Sequence, residues 1–486
     1  MLRLGLAIAA LLAFAPAAHA SSDLVVNRAL GADVKPAAAG ALVDGDATTT
    51  YCPDGPVVVD LGRPVPLTGA GVTMKDAARV SLALSVNGRD WTSRSVDAPA
   101  GGPAYVRYGD RARYLRFDGG CAGELRMFGA GPDDFAKGAD LSFTLLEEDA
   151  GTVFTDRGRA KPVERIFVDH GANYVRLRLW LNPPAGYPDL LTDLEMARRF
   201  KAAGMKLYLD FHYSDFWADP QHQDTPSSWA GQDLATMSRT VQTYTRRVLQ
   251  AFAAQGTPVD LVSIGNEIRN GILWPTGQLS TWSDAEWNAL GTLLKAGVAG
   301  ARAGNPRGHK LRVMLHYDQG GDNGGSRAFF DHIKAQGVPY DVIGLSYYSF
   351  WHGHLRDLRA NVNDLAARYD KDVMVAEIQY AWTLGYGDST NNFVWQESQL
   401  EPGYPASPDG QLSFVNDVLS ILAAVGGRGS DSHGDGLFYW EPEWVPKEGA
   451  GWTPGEGTPN DNLTLFDFGG AALPSIGIFE DPVRSR

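Results

Sequence analysis

Between residues 134 and 486 the chain repeats one pattern eight times: a short apolar run, then a longer amphipathic stretch. The runs fall at residues 139–143, 174–180, 206–212, 261–267, 311–317, 342–348, 373–380 and 437–440. Several are apolar on both faces, as parallel strands covered by helices must be. The stretches between them carry helix signals. Thr192-Asp193-Leu194-Glu195 and Ser283-Asp284-Ala285-Glu286 have the spacing of capping boxes, and Leu194, Ala197 and Phe200 recur at helical period. Gly204, Gly304, Gly337 and Gly426 stand where helices should stop. Eight strand–helix units predict an α/β fold, a (β/α)₈ barrel. The rival, an open doubly wound sheet, usually carries a glycine-rich phosphate turn, and no GxGxxG or GxxxxGK[ST] follows any of the runs. The region is longer than the roughly 250 residues of a typical barrel. Long loops at 382–408 and 445–463 hold much of the surplus and leave the C-terminal face, where barrel active sites are built.

The chain ahead of the barrel reads differently. Residues 1–20 have a basic start at Arg3, a short apolar run and the small-x-small end Ala18-His19-Ala20, the pattern of a cleaved export signal. A secreted or periplasmic protein is expected. Residues 21–130 alternate short apolar strands with Gly, Asp, Asn and Pro, which predicts a small all-β sandwich. A Gly/Pro/Asp link at 129–134 closes it. The two cysteines, Cys52 and Cys121, form either one disulfide in an oxidising compartment or two buried thiols. A net charge of −14 argues against nucleic acid as a partner. No run is long and apolar enough to suggest a membrane span, and a soluble monomer is expected.

Two of the barrel runs end on glutamate. The fourth ends Ser263-Ile264-Gly265-Asn266-Glu267 and the seventh Met374-Val375-Ala376-Glu377. Fourth and seventh strands lie nearly opposite in a ring of eight, so the two carboxylates can face each other across a cleft. That is the arrangement glycoside hydrolysis requires: an acid protonates the leaving oxygen while a carboxylate approaches the anomeric carbon. On the second run Arg176 and Arg178 point to one side by alternation. Either they form a buried structural pair, or one of them, Arg178 being the candidate, keeps the nucleophile ionised.

At these residues the sequence resembles the retaining (β/α)₈ glycosidases, and longer motifs narrow the likeness to glycoside hydrolase family 53, the endo-β-1,4-galactanases. The motifs run from Lys137-Gly138-Ala139-Asp140-Leu141-Ser142 through Asp210-Phe211-His212-Tyr213-Ser214-Asp215-Phe216-Trp217-Ala218-Asp219-Pro220. They continue with Gly265-Asn266-Glu267, Gly271-Ile272-Leu273-Trp274-Pro275, Phe438-Tyr439-Trp440-Glu441-Pro442 and Leu465-Phe466-Asp467-Phe468. The resemblance implies Glu267 as acid/base, Glu377 as nucleophile, and substrate contacts at Asp210, His212, Asn266, His316, Tyr347 and Trp440. Trp217, Trp274, Trp351, Trp382 and Trp440 are candidates to stack on sugar rings or to fill core.

The same resemblance brings in a structural calcium ion, which the chemistry does not require. Asp388, Asn392 and Asp461, with Thr458, stand at the matching positions. The usual Asp-x-Asp-x-His-x-Asn run reads Tyr386-x-Asp388-x-Thr390-x-Asn392 here, with two ligands missing, and a turn-forming polar loop is the competing reading. Residues 41–46, 59–62, 85–91 and 114–117 resemble a discoidin-type, galactose-binding-like sandwich, which implies a carbohydrate-binding module. Together these likenesses imply a secreted, retaining endo-β-1,4-galactanase acting on pectic galactan or type I arabinogalactan. The competing functions are another retaining glycosidase (xylanase, mannanase or cellulase) and a non-catalytic carbohydrate-binding protein.

Overall fold

Eight parallel strands close on themselves in the computed structural model, which describes residues 24–46, 48–132, 134–426 and 433–481. They are Ala136–Asp140, Tyr174–Leu179, Lys206–Phe211, Leu261–Ile264, Arg312–Tyr317, Val342–Tyr347, Asp372–Ile378 and Gly434–Tyr439. Each bonds to the next, and the eighth to the first, so the fold is the (β/α)₈ barrel expected from the repeat. The first strand starts three residues ahead of the expected 139. Its opening residues include Lys137 and Gly138, which carry no apolar signal, yet both are buried. A Cβ on Gly138 would stand 2.1 Å from the Phe438 ring, so only glycine admits the neighbouring strand's aromatic side chain. The expected export signal at 1–20 lies outside the described residues. No helix among the described residues is long and apolar enough to cross a membrane.

The two-residue period of the strands sorts the lumen into layers. One apolar layer contains Tyr174, Tyr208, Leu261, Met314, Val342, Met374 and Phe438. Two residues further along four of these strands stand Arg176, Asp210, Ser263 and His316, the start of a buried polar layer. The helices pack outside. The one after the second strand, Leu190–Ala203, is capped by Asp189, which accepts the N–H groups of Leu191 and Thr192. It therefore begins before the expected box at Thr192, and Asp193 is buried. The box at Ser283 and Glu286 does open a helix, Asp284–Gly304. Gly204 and Gly337 end theirs in the left-handed conformation, whereas Gly304 is still helical and Asn305 caps.

Residues 24–130 form the β-rich unit. Its longest strand, Val57–Met74, pairs in its first half with Arg111–Asp118 and in its second with Ala122–Ala130 and Pro103–Arg107. The strand thus passes from one layer to the other, and Val57, Val59, Leu115, Phe117, Leu125 and Met127 fill the space between. Cys52 and Cys121 are joined in a disulfide. One layer rests on the barrel helix Pro408–Ala423: Arg126 pairs with Asp417 at 2.6 Å, and Ser420 Oγ accepts the N–H of Asn27.

Candidate active site

The polar layer is organised around one guanidinium. Arg176 is fully buried, with Asp140 at 2.7 Å, Asp210 at 2.6 Å and Glu377 at 2.7 Å, and it donates to the Asn266 side-chain oxygen at 2.9 Å. Burial alone would raise both Asp210 and Glu377. Against its own burial, Asp210 is held below the ordinary carboxylate range by Arg176 and His212. Glu377 stays somewhat raised by burial, opposed by Arg176 and by the Tyr348 hydroxyl, which donates to Oε2 at 2.8 Å.

Glu267 has no such cation. Burial and the facing charge of Glu377 push it well above its usual value, with Asp318 adding to the rise and the Ser346 hydroxyl opposing it. A carboxylate oxygen of each glutamate and a ring nitrogen of His316 lie within 4.8 Å of one another. That is the one group of three such ligand atoms found among the described residues. The positive charge beside it belongs to Arg176. Two carboxyls thus share a cleft, and the one beside the arginine loses its proton first.

Both histidines are neutral. Burial pushes His316 down to about 3, and its Nε2 bonds Ser346 Oγ at 2.9 Å. His212 is lowered by burial as well. Its Nδ1 accepts from the Trp180 indole and from the Ala218 backbone, each at 3.1 Å, so the ring proton sits on Nε2, facing Asp210 at 3.4 Å.

Above this layer opens a cleft of about 490 Å³ whose lining includes Glu267, Glu377, His212, Asn266, Gln379 and Trp440. One wall is aromatic. Trp440 lies 6.3 Å from Trp217, Trp217 stacks on Trp452 at 4.2 Å, and Phe393 and Trp351 continue the line toward solvent. The other wall is polar, with Asp219, His222, Arg269, Asp318 and Gln319. A long, flat-faced, hydroxyl-rich ligand fits such walls, since aromatic faces take the C–H side of a sugar ring and polar groups its hydroxyls.

The sequence profile of Glycosyl hydrolase family 53 matches residues 136–479. The chain belongs to that family. Arabinogalactan endo-beta-1,4-galactanase A of Aspergillus niger is 34% identical over 352 residues, 71% of this chain and 94% of the relative. The arabinogalactan endo-beta-1,4-galactanase of Thermothelomyces thermophilus is 33% identical over 351 residues, 71% of this chain and 98% of the relative. Among solved structures, the Ignisphaera aggregans GH53 catalytic domain superposes with a TM-score of 0.66 at 36% identity, covering 72% of this chain and 96% of that one. This family 53 chain is a glycoside hydrolase.

Its structure brings most of the residues named from the sequence together: Glu267, Glu377, Asp210, His212, Asn266 and His316 in or on the polar layer, Trp440 in the aromatic wall. Two expectations change. Arg176, not Arg178, accompanies Glu377. Arg178 lines the cleft one step higher, paired with Glu441 at 2.6 Å and boxed by Phe143, Trp180 and Trp217. Tyr347 faces away from the lumen, donating to Gly353 O and packing on Phe414; its neighbour Tyr348 reaches Glu377. Strand alternation from Val342 through Gly344 and Ser346 points to Tyr348. Of the five tryptophans, Trp217, Trp351 and Trp440 line the cleft. Trp382 packs on Phe468, and Trp274 bonds Asn270 O in a hairpin. Trp452, Phe393 and Gln379 were not foreseen, because nothing local in their loops sets them apart.

The expected calcium ligands do converge, but they do not fit the ion. Asp388 accepts the N–H groups of Thr390 and Thr458 on its two oxygens, and one Asp461 oxygen accepts those of Gly387 and Asp388. The oxygens left over, Asp461 Oδ1 and Asn392 Oδ1, are two where calcium asks for six to eight.

Proposed function

We propose that this chain is a secreted, retaining endo-β-1,4-galactanase, with Glu377 as nucleophile and Glu267 as acid/base. The observation that carries the reading is the asymmetry of the facing pair: oxygens within 4.8 Å, and an arginine on Glu377 alone. Oxygens this close suit direct attack, for which the two carboxyl groups stand about 5–5.5 Å apart. Glu377 bonds to the anomeric carbon as Glu267 protonates the departing oxygen. Water then releases the sugar, with Glu267 taking its proton. Arg176 and Tyr348 stabilise the Glu377 carboxylate before attack.

The substrate reading, galactan of pectin or type I arabinogalactan, leans on the names of the relatives, export leans on residues 1–20, and the β-rich unit is assigned as a carbohydrate-binding module on resemblance. Xylan, mannan and carboxymethylcellulose are the competing substrates. Reducing-sugar release from galactan, with none from the other three, is the expected result; release from xylan or mannan but not galactan refutes the substrate. Glu377→Gln should abolish turnover and retain galactan binding and the wild-type melting curve. Normal turnover in that variant refutes the nucleophile, and net inversion of product anomers by NMR refutes the two-step route. Galactan binding by the parent chain with no reducing-sugar release from any of the four polysaccharides would favour a non-catalytic binding protein.

A further inference from the structure

Ser346 stands between two groups of the site that do not touch each other through hydrogen bonds. It lies on the sixth strand, fully buried, two residues before Tyr348. Its hydroxyl donates to Glu267 Oε1 at 2.5 Å, and its oxygen is 2.9 Å from His316 Nε2. His316 is also fully buried, and its other nitrogen, Nδ1, has no partner. Resting on the reading of Glu267 as the acid, we infer that Ser346, oriented by His316, is a positioning residue that confines the transferable proton to Glu267 Oε2.

A neutral imidazole has one N–H. If it sat on Nδ1 it would be a buried donor with nothing to accept it, the rarer and costlier defect. On Nε2 it meets Ser346 Oγ. The hydroxyl then has its single hydrogen left for Glu267, and Oε1 becomes an acceptor. A proton on Oε1 would collide with that hydrogen, so the carboxylic acid carries its proton on Oε2. Glu267 lines the cleft, and no protein group bonds Oε2 among the described residues. When the glycosidic bond breaks, the proton on Oε2 passes to the leaving oxygen. The carboxylate that remains keeps the Ser346 bond at Oε1, ready to take a proton from water at the same Oε2.

A donor to the carboxylate favours the ionised form, so Ser346 also makes Glu267 a stronger acid than burial alone would leave it. Ser346→Ala should therefore harm substrates whose leaving group needs protonation and spare those whose leaving group does not. The expected result is a loss of about tenfold or more in kcat/KM on galactan, a modest share of what general acid catalysis supplies, and a change within about twofold on 2,4-dinitrophenyl β-galactobioside. The alkaline limb of the galactan profile should move to higher pH. A merely structural role would lower both substrates alike. Equal loss on both, or no loss on galactan, overturns the inference. Ser346→Cys keeps the volume with a weak donor and gives the same comparison if the alanine variant does not fold. Glu267→Ala run beside them separates the two readings: if it lacks the leaving-group split, Glu267 is not the acid, and if it alone shows the split, only the role of Ser346 fails.

Discussion

Arg176 serves Asp140, Asp210 and Glu377 at once, so three buried carboxyls draw on a single buried positive charge. The arrangement works because the groups differ in how much of that charge they receive, and Asp210 ends depressed while Glu377 ends raised. With Glu267 raised further, kcat/KM should follow a bell: an acid limb from ionising Glu377, above the ordinary glutamate range, and an alkaline limb from losing the Glu267 proton. A second buried glutamate tests the linkage away from the chemistry. Glu147, on the helix Thr144–Asp149, is pushed up to about 8 by burial, opposed by the Thr152 hydroxyl at 2.5 Å. The folded chain holds this proton to a higher pH than the unfolded chain does. Its contribution to stability is therefore whole below about pH 4 and is lost as pH climbs through about 8. Glu147→Gln removes that titration. Thermal melts should show the variant no more stable than the parent at acid pH and more stable above pH ~8; parallel curves across the range would contradict the burial argument.

At the scale of elements, the seventh strand carries the decisive irregularity. Its pairing with the sixth runs Leu345 to Val375, then Ser346 to Glu377, so Ala376 is the extra residue of a bulge. Strict alternation from Met374 would turn Glu377 outward; the bulge turns it into the lumen. The fourth strand solves the same problem with a sharp exit. Gly265 has φ +89, Glu267 φ +49 and Gly271 φ +92, and the hairpin Gly271–Ile272 with Gly277–Gln278 follows at once. A Cβ on Gly271 would stand 1.9 Å from Gly277 O, backbone that has no room to yield. Gly271→Ala should cost at least about 1–3 kcal/mol, the strain of a residue forced to positive φ. Urea denaturation measures that loss, and kcat/KM on galactan should fall with it because the hairpin supports the turn that bears Glu267.

At the scale of the whole molecule, the β-rich unit is bound to the barrel by buried charge as well as apolar surface. Asp417 accepts both Arg126 and the Tyr404 hydroxyl, each at 2.6 Å. Arg126→Met would leave Asp417 without its cation, a loss of about 3–5 kcal/mol for a broken buried pair. Calorimetry should then resolve two transitions where the parent shows one, with galactan turnover at low temperature unchanged. Much of this protein was legible in its residues. The strand–helix period specified the barrel, because each strand must be apolar on both faces and each helix on one, and the glutamates ending the fourth and seventh runs marked the site. Strand starts at Ala136 and the helix cap at Asp189 were missed, since burial of Lys137, Gly138 and Asp193 comes from neighbours far along the chain. What only the closed ring decided was height and partner: Arg176 rather than Arg178 beside Glu377, and the inward turn of Glu377 itself by way of its bulge. Periodicity along one strand sets a face, but the register between strands sets the height and the partner, and register exists only once all eight have closed.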